Sequence, residues 1–280
     1  MKIWAFVTVW NEELMLPYYL RHYSQFCDRI IILDNMSTDG TRMIAEEYAN
    51  IVDIEIIPFE TDGKFNDYAH IELKKQSLQH AKGRADFAIL TDCDEFVYHP
   101  NIKQFLEENK DCSVFYPAGF QMVSDEFPYN LPGQLYEYVT FGEPTPWYVK
   151  PMIINLNIIE NLEWVEGAHE LEADIELGKF YHPVPEDIRP VGEYQGHPWG
   201  RWQKLYEILN QFNDVPLKTL HYKFLGFDYV NDRYKQYANK MSDANTENRV
   251  GMHYENSIAD NSIQKQINEI KRNAIQVKLD

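Results

Sequence analysis

The segment Phe87-Ala88-Ile89-Leu90-Thr91-Asp92-Cys93-Asp94-Glu95-Phe96 constrains the chain most, because four consecutive apolar residues run straight into a cluster of carboxylates. Bounded by Gly83-Arg84 before and His99-Pro100 after, the run predicts a strand covered on both faces, as in a parallel α/β sheet. Open α/β sheets bind their ligands at the carboxyl ends of the strands, which is where Asp92, Asp94 and Glu95 fall. Carboxylates placed there repel one another unless a cation joins them. An Asp-x-Asp pair puts two hard oxygen ligands on the same side of an extended backbone, which suits Mg2+ or Mn2+ bound to substrate phosphates. A lone Asp-x-Asp is more often a solvated acidic turn; the strand before it and the motifs below weigh against that reading here.

At 280 residues the chain can bury a sizeable core, as one large or two small domains. A net charge of -18 would repel a nucleic-acid backbone or an anionic membrane, which disfavours a DNA- or RNA-binding role. No apolar run approaches the ~18 residues of a membrane span. Met1-Lys2-Ile3-Trp4 opens a strand without the layout of a signal peptide, so the expectation is a cytoplasmic protein. Cys27, Cys93 and Cys112 have neither metal-ligand nor redox spacing.

Along the chain, strand and helix alternate. Strands are predicted over Ile3 to Val9, Arg29 to Leu33, Ile51 to Pro58 and the Asp92 segment, with helices over Leu14 to Phe26, Arg42 to Tyr48 and about Asp67 to Ala81 between them. That order makes a mostly parallel sheet flanked by helices. Neither a G-x-G-x-x-G nor a G-x-x-x-x-G-K-[ST] phosphate loop is present. A further strand is expected over Ser113 to Gly119. Residues 123–150 are then broken by Pro128, Pro132, Pro144 and Pro146 and rich in aromatics. Aromatic faces stack on sugar rings, so this region is a candidate pocket wall for a carbohydrate acceptor, although such side chains also serve as plain core and turn packing. Helices are expected over Trp202 to Phe212 and Tyr229 to Met241. Ile263, Ile267, Ile270 and Ala274 lie at helical spacing, and their stripe should dock on the protein's own core. The expected division is residues 1–120 as an α/β domain, 121–225 as a region that closes the site at its strand ends, and 226–280 as a C-terminal helical segment packed on the core.

Three motifs in order carry a resemblance: Thr8-Val9-Trp10-Asn11-Glu12, Ile31-Ile32-Leu33-Asp34-Asn35-Met36-Ser37-Thr38-Asp39-Gly40-Thr41, and the run from Ala81 to Phe96. Together they resemble the N-terminal half of family 2 glycosyltransferases of the GT-A fold, nearest the branch whose metal motif ends in Asp-Glu-Phe. The resemblance covers about the first 120 residues and implies that residues 1–120 bind the donor and 121–225 the acceptor. It implies metal-dependent, usually inverting transfer from a nucleotide-sugar, with UDP favoured because family 2 donors are most often UDP-sugars. It further implies nucleoside contacts at Thr8, Val9, Asn11 or Glu12 and Asp34, and a Mn2+ or Mg2+ site at Asp94, with Asp92 acting directly or through water. One departure is that Asp34-Asn35-Met36-Ser37 replaces the commoner Asp-Asp-Gly-Ser, which leaves the backbone path at Met36 open.

GT-A enzymes often draw a third metal ligand from the C-terminal half, and His221 and His169 are the candidates. Inversion needs a carboxylate base to take the acceptor's proton. Glu170, beside His169, is the first choice, with Asp125 and Glu126 behind it. Two other classes stay in view. A nucleotidyltransferase would show a Gly-rich basic loop after the first strand, whereas Trp10-Asn11-Glu12-Glu13 is acidic and Gly-free. A noncatalytic carbohydrate-binding protein would explain the aromatics but not the carboxylates at strand ends.

Overall fold

The computed structural model describes residues 1–64, 66–159, 163–164, 171–172, 179–183, 208–209, 211–247 and 251–279. The expected alternation is present: β1 (Ile3–Val9), β2 (Arg29–Asp34), β3 (Ile54–Pro58) and β4 (Phe87–Asp92) are joined through α1 (Leu16–Tyr23), α2 (Thr41–Tyr48) and α3 (Asp67–Ala81). All four strands run parallel, with β1 paired to both β2 and β4. Successive side chains of a strand point to opposite faces, and β1 divides accordingly. Ile3, Ala5 and Val7 pack in one core with Leu16, Tyr19, Leu20 and Tyr23 of α1. Trp4 and Phe6 pack in the other with Leu78 and Ala81 of α3. Burial on both faces is why these strands read as continuous apolar runs.

Two of these helices carry recognisable terminal signals. Pro17 sits in the first turn of α1, where its missing N–H breaks no intrahelical bond. Asn66 caps α3, accepting from the amides of Tyr68 and Ala69. Beyond α3, Gly83 takes φ +74°, the left-handed conformation that glycine adopts without a Cβ penalty.

After β4 the chain forms β5 (Glu95–Tyr98), α4 (Ile102–Glu108), β6 (Cys112–Phe115), β7 (Ala118–Ser124), β8 (Phe141–Pro144), β9 (Ile153–Asn155), β10 (Glu163–Trp164), β11 (Leu171–Glu172), β12 (Lys179–Tyr181) and β13 (Lys218–Leu225). The C-terminal part forms α5 (Phe227–Ala238), α6 (Asp243–Glu247), α7 (His253–Ala259), α8 (Ile263–Asn273) and β14 (Ile275–Gln276). A seven-stranded sheet has the order β12-β6-β9-β4-β1-β2-β3, and a five-stranded sheet has the order β14-β8-β7-β13-β5.

The strand expected over Ser113 to Gly119 is in fact two. β6 belongs to the first sheet and β7 to the second, with Tyr116-Pro117 between them. Proline has no amide to give a ladder, so the chain breaks there. The amides on either side bond to separate partners, Tyr116 to the Tyr181 carbonyl and Ala118 to that of Leu217. The first sheet also admits an antiparallel strand, β9, between β4 and β6.

Residues 201–207, most of the helix expected over Trp202 to Phe212, lie outside the described residues, and Phe212–Asp214 form a 3-10 turn. The C-terminal stripe docks as expected, with Ile263, Ile267 and Ile270 buried in the α1-side core. Among the described residues no helix is long and apolar enough to cross a membrane.

Candidate active site

The parallel register aligns the carboxyl ends of the first sheet. Thr8 pairs with Asp92, and Val9 with Asp34, so the motifs of β1, β2 and β4 meet on one rim. The second sheet completes the site, because β13 pairs with β5 in a register that sets His221 opposite Glu95. The Tyr222 amide then donates to the Asp94 carbonyl at 2.8 Å. A cavity of about 860 Å3 opens at this junction, between α3 on one side and α5 and α7 on the other.

On its floor, Asp94 (8% exposed) faces His221 (6% exposed), with Oδ2 and Nε2 3.5 Å apart. Gln121 fixes the imidazole. Its Nε2 donates to the His221 carbonyl at 3.1 Å, which leaves its Oε1 to accept from His221 Nδ1, also at 3.1 Å. With Nδ1 held by Gln121, Nε2 is the ring atom that faces the Asp94 carboxylate. A protonated Nε2 donates to that carboxylate, and a bare Nε2 and the carboxylate together could hold a shared cation in the proton's place. Tyr148 lies against the same ring, 4.0 Å between centroids. Burial pushes the Asp94 carboxyl up, but His221, Arg233 and Lys223 more than offset this and hold it below the usual carboxylate range.

Beside this pair lies a buried ion pair. Lys150 Nζ is 2.5 Å from Glu95 Oε1 and 4.0 Å from Asp92 Oδ2, with Lys150 6% and Glu95 1% exposed. The other Glu95 oxygen accepts the Asp92 amide at 3.0 Å. Burial works against the Lys150 ammonium, yet Glu95 and Asp92 raise its pKa. Lys74 of α3 lines the cavity too and lowers the Asp92 pKa together with Lys150, against the effect of burial. Further along the rim, Glu12 receives a bidentate contact from Arg233, both oxygens at 2.7 Å. Burial raises Glu12, Arg233 draws it back, and the balance stands at about 7.

Two carboxylates and a correctly oriented imidazole are a hard-ligand set that suits Mg2+ or Mn2+. Asp94 and His221 could hold such an ion directly, with Asp92 able to join by turning from Lys150. Among the described residues no three His, Cys, Asp or Glu side chains already surround a common point.

The sequence-predicted residues divide clearly. Thr8, Val9, Glu12, Asp92, Asp94 and His221 line the cavity. Asp34 and Asn11 shape the loop behind it: Asp34 accepts the Ser37 amide at 2.9 Å, and Asn11 Oδ1 accepts that of Thr38 at 2.8 Å. Met36 takes φ +52°, so the backbone there follows the left-handed path that the glycine of Asp-Asp-Gly-Ser would adopt freely. The structure does not bring Asp125 and Glu126 to the cavity. Both are exposed after β7, and Asp125, its side chain 94% exposed, pairs with Lys271 at 2.5 Å. His169 and Glu170 lie outside the described residues.

The motif order and this rim agree with a comparison of the sequence against known families. The family described as Glycosyl transferase family 2 matches residues 4–145, just over half of the chain. The chain belongs to glycosyl transferase family 2. No curated protein sequence matches it. Among solved structures, residues 1–349 of S. aureus TarS in complex with UDP-GlcNAc are 15% identical, with 90% of this chain and 75% of that one covered and a TM-score of 0.39. Glucosyl-3-phosphoglycerate synthase from Mycobacterium tuberculosis, in complex with Mn2+, UDP and glucosyl-3-phosphoglycerate, is 20% identical over 43% of this chain and 44% of that one, with a TM-score of 0.31. A longer TarS chain, 14% identical at a TM-score of 0.39 over 84% of this chain, is covered over only 38% of its own length.

Family membership accounts for the rim of β1, β2 and β4, but several groups in the cavity had no motif to announce them. Lys223 of β13 and, behind His221, Gln121 of β7 come from the second sheet, Arg233 comes from α5, and Tyr148 and Lys150 come from the stretch between β8 and β9. Lys150 follows the aromatic-rich stretch already expected to wall a pocket, which was the one available signal.

Proposed function

We propose that the chain transfers a sugar from a nucleotide-sugar, a UDP-sugar in the first instance, to an acceptor hydroxyl, with a divalent metal ion and with inversion at the anomeric carbon, as in the branch whose metal motif ends in Asp-Glu-Phe. We place this activity in the cytoplasm. The observation that carries the reading is Asp94 facing His221, whose Nδ1 is tied to Gln121 so that Nε2 looks into the cavity. Family membership supplies the reaction class.

In the transfer, the acceptor oxygen bonds to the anomeric carbon, the bond from that carbon to the diphosphate breaks, and the acceptor's proton passes to a carboxylate. A divalent ion held by Asp94 and His221, with Asp92, would supply positive charge to the departing diphosphate. Lys150 and Lys74 supply further positive charge beside Asp92 and offset the repulsion between an acidic protein and an anionic donor. Thr8 and Val9, at the end of β1, bound the nucleoside end, and Asp34 holds the loop that follows β2. Glu170 is the proposed base, from its place in the sequence.

The test is release of UDP from a panel of UDP-sugars incubated with the protein and Mn2+. Slow hydrolysis of at least one donor is the expected result, since water can replace the acceptor. No release from any donor, together with no thermal stabilisation by UDP and Mn2+, would overturn the proposal.

A further inference from the structure

One face of the second sheet packs in the α1-side core, and the other carries His221. Successive residues of a strand face opposite ways. Phe120 and Met122 of β7, with Leu220 and Tyr222 of β13, lie in that core. Gly119 and Gln121 therefore share the opposite face with their register partners Thr219 and His221. Gln121 holds the His221 ring, whereas Gly119, two residues before it, presents no side chain at all.

What packs on Gly119 explains the glycine. Pro146–Tyr148 form a 3-10 turn after β8. The Thr145 amide donates to the Gly119 carbonyl at 2.9 Å, and the Thr145 hydroxyl accepts the Trp147 amide at 3.4 Å. The turn is thus clipped to β7 at the glycine itself. A Cβ on Gly119 would stand 2.7 Å from the Tyr148 carbonyl carbon and 2.8 Å from the Thr145 carbonyl oxygen. Both are backbone atoms that no change of rotamer moves aside, and both distances fall well inside the ~3.5–4.0 Å of a favourable carbon contact. Gly119 has no positive φ, so it answers this close approach and not a backbone conformation.

From that seat Tyr148 reaches His221. The two rings lie 4.0 Å apart between centroids, inclined at 46°, and both residues line the cavity. The contact supplies what the Gln121 hydrogen bond lacks. That bond holds one ring atom, Nδ1, while the last torsion of a histidine side chain is intrinsically broad. A second ring pressed on the face of the imidazole narrows the torsion, and with it the direction of Nε2.

We propose that Tyr148 is a positioning residue of the metal site: its ring backs the His221 imidazole and keeps Nε2 aimed at Asp94, and Gly119 is the residue that lets the turn come close enough. This rests on the glycosyltransferase reading and adds to it the groups that orient a ligand from behind.

The test is calorimetric titration of the intact chain with UDP in Mn2+ and in EDTA, read as the ratio of the two affinities. Lost packing alone would weaken binding in both buffers and leave the ratio unchanged, whereas a misdirected ligand lowers the ratio. Groups that orient a metal ligand are worth about 10–100-fold in metal affinity, so Tyr148→Leu should lose about tenfold of the Mn2+ enhancement. Tyr148→Phe keeps the ring and should keep the parent's ratio. Gly119→Ala should lose the enhancement too, or lose the fold, seen as a lowered urea midpoint. No Mn2+ enhancement in the parent would overturn the metal reading and this proposal with it. The parent's ratio in Tyr148→Leu would overturn this proposal alone, as would an equal loss in Tyr148→Phe, which would assign the effect to the hydroxyl. Gly119→Ala matching the parent in both ratio and midpoint would overturn the part given to Gly119.

Discussion

Replacing Lys150 with Met should destabilise the protein by about 3–5 kcal/mol in urea unfolding, because it leaves the Glu95 carboxylate buried without its counter-ion. Methionine keeps most of the volume, so packing contributes little to the loss. The control is the double variant Lys150→Met, Glu95→Gln, which removes both charges and leaves an amide oxygen to accept the Asp92 amide. It should recover most of the lost stability. If the single variant unfolds at the parent's urea midpoint, or if the double variant is as unstable as the single, the pair does not hold the floor of the cavity as described.

Asp94→Asn should leave the fold intact and reduce donor turnover by about a thousandfold, on the order of 4 kcal/mol of transition-state stabilisation at roughly 1.4 kcal/mol per factor of ten. The amide is close in size to the carboxylate, but it lacks the charge that His221 faces. Single-turnover release of UDP in saturating Mn2+ measures the effect. Turnover within tenfold of the parent would remove Asp94 from the site chemistry.

The elements legible in the sequence are those governed by local pattern. The apolar run from Phe87 to Leu90 is a strand buried on both faces, as four uninterrupted apolar residues imply, and the carboxylates after it lie at the cavity. The Ile263, Ile267 and Ile270 stripe forms a docked helix because a 3.6-residue period leaves few alternatives. The split at Pro117 was harder to read. Two short strands that leave for different sheets look like one run until the missing amide is taken into account.

The remainder of the site depends on long-range pairing that no local pattern encodes. Gln121 orients His221 across 100 residues, and Arg233 reaches Glu12 across 221. Lys150 had only its aromatic neighbourhood to mark it, and its partners Asp92 and Glu95 lie on the other side of β6, β7 and β8 in the sequence. Asp125 and Glu126 illustrate the converse. They are plausible acids by sequence position alone, yet the end of β7 delivers them to solvent and Asp125 to Lys271.

The Asp94 and His221 rim should take up a metal ion together with the diphosphate of a nucleotide. Calorimetric titration of the intact protein with UDP, once in Mn2+ and once in EDTA, tests it most directly. Saturable binding in Mn2+ is expected, weakening by about tenfold or more, at least roughly 1.4 kcal/mol, when the metal is chelated. Equal affinity in the two buffers, or no UDP binding in Mn2+, would contradict it.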